Sequence, residues 1–439
     1  MSELAISTAA SRREINAPLL LRSIYVGCMA GSTLLSFGKI FLFALILDTS
    51  GFGQYNLALL ILSSVSYLAT AGLAEGLGRE VPMLRGQGRV AEAVHARNAS
   101  VLSGLFSAGI VGALCAAVLA VLGRTHIDYR PLPWVGLVIA MTLPCNLLLT
   151  DLTGRECSTE YSLMLLLKNA IALLAGGIGI MALGVSGALL GEVVSVVLTA
   201  VVVICFYSRD IFVGVGRGLR AEAWRVARIG FPFMLSSVVL TLTLSMDRWF
   251  VQSRFGVSVF GAYAFAFLVW TAGMVFSNML SVYLHPRIVS RYARTGDLPQ
   301  VFAYVRRLGL FVAALFVVAA VPALWVLSRI IDLRYPQYAA VKPLLIPVYL
   351  GTMFWSTNFY VALFVIRGDG RIPFWLSLAN AVPCAVALAV AVLLKAPLLW
   401  YAIIFCACRL IYLVSSIWTA HRVMKGWTLR AAPGTSPAP

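Results

Sequence analysis

Residues Ser50 to Arg89 read SGFGQYNLALLILSSVSYLATAGLAEGLGREVPMLRGQGR, and the chain says this stretch twice. Phe52-Gly53-Gln54-Tyr55 returns as Phe260-Gly261-Ala262-Tyr263. At the same offset Ala58 meets Ala266, Arg79 meets Arg287, Val81 meets Val289 and Gly88 meets Gly296, with no gap. Each copy is a short turn, an apolar run of spanning length and a basic loop. A repeat on this scale governs the reading of the whole chain, because each copy is one structural unit said twice. Two copies beginning near 50 and 258 divide the 439 residues into halves.

Composition then sets the solvent. Hydrophobic residues make up 61% of the chain and charged residues 12%, where a soluble domain carries about 25% charged residues. Too few polar groups remain to cover so much apolar surface in water, so the excess is expected to face lipid. The eight cysteines (28, 115, 145, 157, 205, 384, 406, 408) lie mostly in apolar runs and form no CxxC pair. Cys406-x-Cys408 is too tight for a usual zinc site, so they read as small packing residues. The net charge of +17 does not call for nucleic acid, since the basic residues fall in alternate loops.

A spanning helix takes roughly 20 mostly apolar residues. Twelve stretches meet that test: 19–47, 54–74, 99–122, 132–150, 161–183, 187–207, 229–252, 258–281, 307–328, 343–366, 372–393 and 396–419. The first is too long for a signal-peptide core and no small-residue cleavage site follows it, so it is expected to stay as an uncleaved span. Lys and Arg lie on one side over the other by roughly three to one when both termini are placed in the cytoplasm, as the positive-inside rule requires. Arg79, Arg85, Arg89 and Arg97 form one inside group, and Arg209, Arg217, Arg220, Arg225 and Arg228 another. Six spans return the chain to its starting side, so the second half enters the membrane in the same sense as the first. That makes the halves parallel repeats, with a substrate path expected at the seam between them. The expected class is therefore an all-α integral membrane protein: twelve transmembrane helices as two six-helix parallel repeats around a central cleft. Its parts are a cytoplasmic N-terminus (1–18), an N-terminal bundle (19–207), a basic linker (208–228), a C-terminal bundle (229–419) and a Pro/Ala/Ser-rich tail (420–439), expected to be disordered.

Enzyme signals are scarce. His95, His126, His285 and His421 have no metal-ligand spacing, and no GxxxxGK[ST] loop is present to cradle a nucleotide. No catalytic residue, metal or cofactor is expected. What remains is charge inside the bilayer, which costs about 2.5–3.5 kcal/mol even on the lenient insertion scale and therefore tends to mark a pathway. Lys39 in span 1 and Asp247 in span 7 are equivalent by the repeat offset and opposite in sign. Asp247 and Arg248 point about 100° apart on a helix, so they cannot neutralise each other cleanly. Both repeat positions are expected to border a polar cleft; the competing reading is a structural ion pair or a side chain snorkelling to the surface. Arg22, near the inner end of span 1, can snorkel in the same way. Lys168 in span 5, Glu192 in span 6 and Arg409 in span 12 are further intramembrane charges. Glu192 and Asp247 are the candidates for ion coupling, since burial lifts a carboxyl toward a usable range. Glu75 and Asp151 sit at span ends and read as hydrated, and Glu75, Arg79 and Glu80 as local partners. Pro144, Pro232, Pro322, Pro347 and Pro383 fall inside spans, where they kink or break a helix.

At this point the chain resembles a family. Leu45 to Gly88 is similar to the N-terminal signature of the polysaccharide flippases: a turn ending FGQYNLA, a helix ending AGLAEGLGRE and a basic loop. SMDRWFVQSRFGVSVFGAYAFAF (245–267) resembles their seventh-helix signature, an Asp-Arg pair followed by a Gly-x-Tyr-x-x-Ala turn. The resemblance is to the polysaccharide-transport, Wzx-type branch of the MOP exporter superfamily. The resemblance implies a cleft bordered by spans 1 and 7. It also implies alternating-access transfer of undecaprenyl-diphosphate-linked oligosaccharide from the cytoplasmic to the periplasmic leaflet of a bacterial inner membrane, for O-antigen, capsule or exopolysaccharide assembly. Lys39, Arg22 and Arg248 would then face the diphosphate, with Asp247 beside them. The implied partners are lipid-linked oligosaccharide, membrane lipids, a glycan polymerase and a chain-length regulator. The acidic residue of span 1 that marks the multidrug branch is not seen, Lys39 being the charge there. An ion-coupled multidrug or small-metabolite exporter of the same superfamily is the alternative.

Overall fold

The computed structural model describes residues 19–126, 129–155, 157–209, 218–277, 280, 298–360, 363–364 and 371–430. They are helical almost throughout. In chain order the helices are α1 (Leu19–Ile46), α2 (Thr49–Thr70), α3 (Leu73–Gly86), α4 (Val90–Thr125), α5 (Trp134–Gly154), α6 (Ser158–Leu183), α7 (Val185–Tyr207) and α8 (Leu219–Ala266). Then come α9 (Leu268–Ser277), α10 (Leu298–Arg334), a 3-10 turn (Pro336–Val341), α11 (Lys342–Ser356), α12 (Arg371–Leu393) and α13 (Leu398–Arg430). All five intramembrane prolines lie within helices that continue past them, as membrane helices allow when neighbours re-satisfy the freed carbonyls.

Among the described residues, ten helices are long and apolar enough to cross a membrane, where the sequence predicts twelve. Two places make the difference. Predicted spans 7 and 8 run together in α8, which is two helices joined through Gly256 at φ 82 and ψ 176, a conformation that only glycine adopts without strain. Predicted span 10 is the 15-residue α11, which stops at Ser356 and passes into turns. Apolar composition measures how much chain prefers lipid. It does not say where the helix is interrupted.

The helices pack into two compact units. One consists of the chain up to Leu42 with Ala69–Val118 and Pro133–Gly230; the other of Phe43–Leu68, Leu119–Leu132 and the chain from Phe231 onward. In the first unit Leu73, Leu77, Val81, Leu147, Leu148, Leu152, Val203 and Val226 make one buried apolar cluster. In the second, Val301, Val305, Val312, Phe364 and Tyr412 do the same. Large apolar side chains such as Phe106, Leu114, Ile178, Val318 and Val321 stay exposed. In water that face would be a liability; in a bilayer it costs nothing.

The repeated motif becomes a contact in the second unit. A Cβ on Gly53 would lie 2.1 Å from the Val257 carbonyl oxygen, and one on Gly261 would lie 2.0 Å from the Thr49 carbonyl oxygen. Thr49 and Val257 are themselves a repeat pair. The contact is thus reciprocal, as across a two-fold axis. Thr49 Oγ1 and Ser258 Oγ are 3.0 Å apart beside it. Fully buried Phe52 packs edge-on to Tyr338 and Phe265, which stack at 4.4 Å. Two helices approach this closely only where neither has a side chain at the crossing.

Candidate functional site

In the first unit, Lys39 of α1 donates to Glu192 of α7, and only about a tenth of either side chain is exposed. Small residues make the meeting possible, because Gly176 and Gly191 bring α6 and α7 into backbone contact beside Glu192. A buried ion pair attracts strongly but loses the hydration of both partners, so the net gain is small while loss of one partner is costly. Asn169 of α6 donates to Ser32 Oγ at 2.8 Å, another polar tie to α1. Arg22 lies on the first turn of α1, and its side chain is outside the described residues.

In the second unit, Asp247 is 2% exposed and accepts a 2.9 Å hydrogen bond from the hydroxyl of Tyr263. Tyr263 is the tyrosine of the repeated motif. Arg248 and Arg409 both act on the same carboxylate through their charges. Their Nη2 atoms donate to one backbone oxygen, that of Leu244, at 3.3 and 3.1 Å. Aromatic rings wall in the guanidiniums: Arg409 lies over Phe405 at 4.6 Å and Trp270 at 5.3 Å, and Arg248 over Phe267 at 5.6 Å. Cation–π attraction of this kind strengthens where water is excluded. Arg409 is 2% exposed. The Nε of each arginine is buried without a hydrogen-bond partner. Among the described residues, then, one carboxylate faces two guanidiniums, which leaves the cluster with an excess positive charge and unused donors. Its chemistry suits an anion with several acceptor oxygens.

The structure thus places Asp247 and Arg248 in one cluster and joins Lys39 to Glu192 in another. Arg409 was visible in the sequence only as one more charged residue in an apolar run, and Tyr263 only as part of the repeat. Nothing local ties Tyr263 to Asp247, 16 residues away; that bond comes from the fold around Gly256. Charge also swaps sign between the repeats. The first helix of one half carries a cation that pairs with an anion on its last span; in the other half the first helix carries Asp247 and the last span Arg409, members of one cluster.

One expectation is overturned and another is extended. Asp151 is not hydrated but 1% exposed, ion-paired with Arg155 and 3.8 Å from buried Arg97, because the ends of several helices converge there. Glu80 reaches beyond its own helix: its carboxylate accepts from Arg225 of α8 at 2.7 Å. Glu75 stays half-buried at the start of α3, where burial pushes its carboxyl above the usual range. No group of three or more metal-ligating side chains occurs among the described residues.

No family model matches the sequence, and no curated protein matches it. Solved structures do. The inward-facing conformation of a multidrug resistance MATE family transporter of the MOP superfamily superposes with a TM-score of 0.67 at 15% identity, over 93% of this chain and 99% of the other. A Vibrio cholerae MATE transporter, solved as an aspartate-to-asparagine mutant, gives 0.64 at 13% identity over 96% and 98%. A MOP superfamily transporter from Pyrococcus furiosus, described as having a binding pocket of reversed polarity that suggests a different function, gives 0.58 at 15% over 91% and 98%. The chain has the helical fold of these multi-pass membrane transporters along nearly its whole length.

Proposed function

We propose that this chain is a membrane exporter of the MOP type, working by alternating access, and that its cargo is an anionic amphiphile, an undecaprenyl-diphosphate-linked oligosaccharide. The observation that carries the reading is the buried Asp247–Arg248–Arg409 cluster, with two guanidiniums to one carboxylate among the described residues. A diphosphate supplies what that cluster lacks: negative charge and oxygens for the unused N–H donors. A cationic drug would meet repulsion there.

A second reading is an ion-coupled exporter of drugs or small metabolites. The fold neighbours whose descriptions name a function are multidrug transporters, and on likeness this reading fits better than the first. The Lys39–Glu192 pair adds a buried intramembrane carboxylate, the residue type that ion coupling uses. The two readings divide on the sign of the cargo.

Leaflet accumulation of lipid-linked glycan, measured in cells with and without the gene, tests the choice. Glycan trapped on the cytoplasmic face, reproduced by Asp247→Asn and Arg409→Gln at normal protein levels, is the expected result. Normal glycan display in the deleted strain, with raised sensitivity to cationic drugs, would reject the flippase and leave the second reading in place.

A further inference from the structure

Where α3 crosses α8 in the first unit, two backbones meet without side chains between them. A Cβ on Gly230 would lie 1.9 Å from the Gly72 carbonyl oxygen, and one on Gly76 would lie 2.2 Å from that of Val226. One turn beyond Gly76 on α3, Glu80 is 7% exposed and accepts from Arg225 Nη1 at 2.7 Å. Arg225 is not committed to that bond. Its Nη2 and Nε donate to Glu222, one turn back on its own helix, at 2.7 and 3.0 Å. The Arg225 side chain is 44% exposed.

We propose that Glu80 and Arg225 form a releasable latch between α3 of the first repeat and α8, the first helix of the second. It lies at the end that the loop charges assign to the cytoplasm, and the proposal rests on the exporter reading for its purpose. Three features make this crossing suited to opening. Arg225 carries a substitute carboxylate on its own helix, so separation does not strand its charge. Glu80, freed, stands beside exposed Arg79 and Met83 on its own helix, where water can reach its carboxylate. The arginine of the pair is also partly in solvent, where salt screens its attraction for the carboxylate. The Gly53–Gly261 crossing has none of these features: its neighbours are buried rings and a pair of neutral hydroxyls. Glu222 is the tuning element, since it shares one guanidinium with Glu80.

The test uses the full chain in lipid vesicles, its eight cysteines replaced, with spin labels at Met83 and Trp224. Both positions are exposed and flank the latch without belonging to it. The label-to-label distance distribution is the readout, and it requires no cargo. Glu80→Gln is expected to raise the long-distance population about threefold or more, and 1 M salt to move the native chain the same way. Glu222→Gln is expected to do the opposite and shorten the distribution, because Arg225 then has one carboxylate left. A merely structural salt bridge would not respond in opposite directions. An unchanged distribution in Glu80→Gln, or the same response from both variants, would overturn the latch. If the distances respond as expected but no lipid-linked glycan or drug is moved, the latch stands and the exporter reading fails.

Discussion

Lys39 and Glu192 put the energetics of a buried pair on a single hydrogen bond. Only about a tenth of either side chain is exposed, so removing one charge leaves the other largely buried without its partner, a loss typically of about 3–5 kcal/mol. Removing both returns most of it. Lys39→Met alone is therefore expected to lower the melting temperature in detergent sharply, and Lys39→Met with Glu192→Leu to recover most of the loss. Equal destabilisation in the single and double variants would mean that the two do not act as a pair. The double variant also separates structure from function. If it folds and still exports, the pair is architectural; if it folds and is silent, the charge belongs to the transport cycle. Lys39 and Asp247 were legible in the sequence because charge in an apolar run is expensive. Their partners were not, because Glu192 and Arg409 lie far along the chain and only packing chooses among the available charges.

Helix crossings tell the same story one level up. The sequence places Gly53 and Gly261 at the same point of a repeat, but not against each other; the reciprocal contact with Val257 and Thr49 is a property of the packed pair. Gly261→Val is expected to push α8 away from α2, breaking the Thr49–Ser258 contact and lowering the yield of folded protein several-fold, in line with the cost of overfilling a packed interface, about 1–3 kcal/mol or more. Gly109→Val is the control, since that glycine is exposed and a Cβ there meets nothing within 4 Å. Comparable yields for the two variants, by size-exclusion chromatography of a tagged chain, would show that the crossing is not tightly packed. The same scale explains the helix count. Gly256 looks like any glycine in an apolar run, and its left-handed φ, which turns two predicted spans into the two arms of α8, is set by the turn it completes. Ser356 likewise ends α11, and Asn358 just beyond it is held by a tertiary hydrogen bond to Ser416 at 3.0 Å.

At the scale of the whole chain, the loop charges make a claim that helix composition alone does not, namely which way each helix points. Lys and Arg are excluded from the side that must be carried across, and the bias across the loops is roughly three to one. The last two helices give the sharpest test, since α12 ends at Leu393, α13 begins at Leu398, and the connection holds Lys395. If that connection is outside and the C-terminus inside, alkaline phosphatase fused after Lys395 is active and the same enzyme fused after Pro439 is not, by about tenfold or more. A fluorescent protein that folds only in the cytoplasm gives the reverse pattern. Activity at both positions would mean that α13 does not cross; an inverted pattern would turn the chain over. Inversion would also place the Glu80–Arg225 latch on the outer face, where release would admit cargo from the wrong side for export. The orientation of α13 thus decides whether the charge distribution and the exporter reading are compatible.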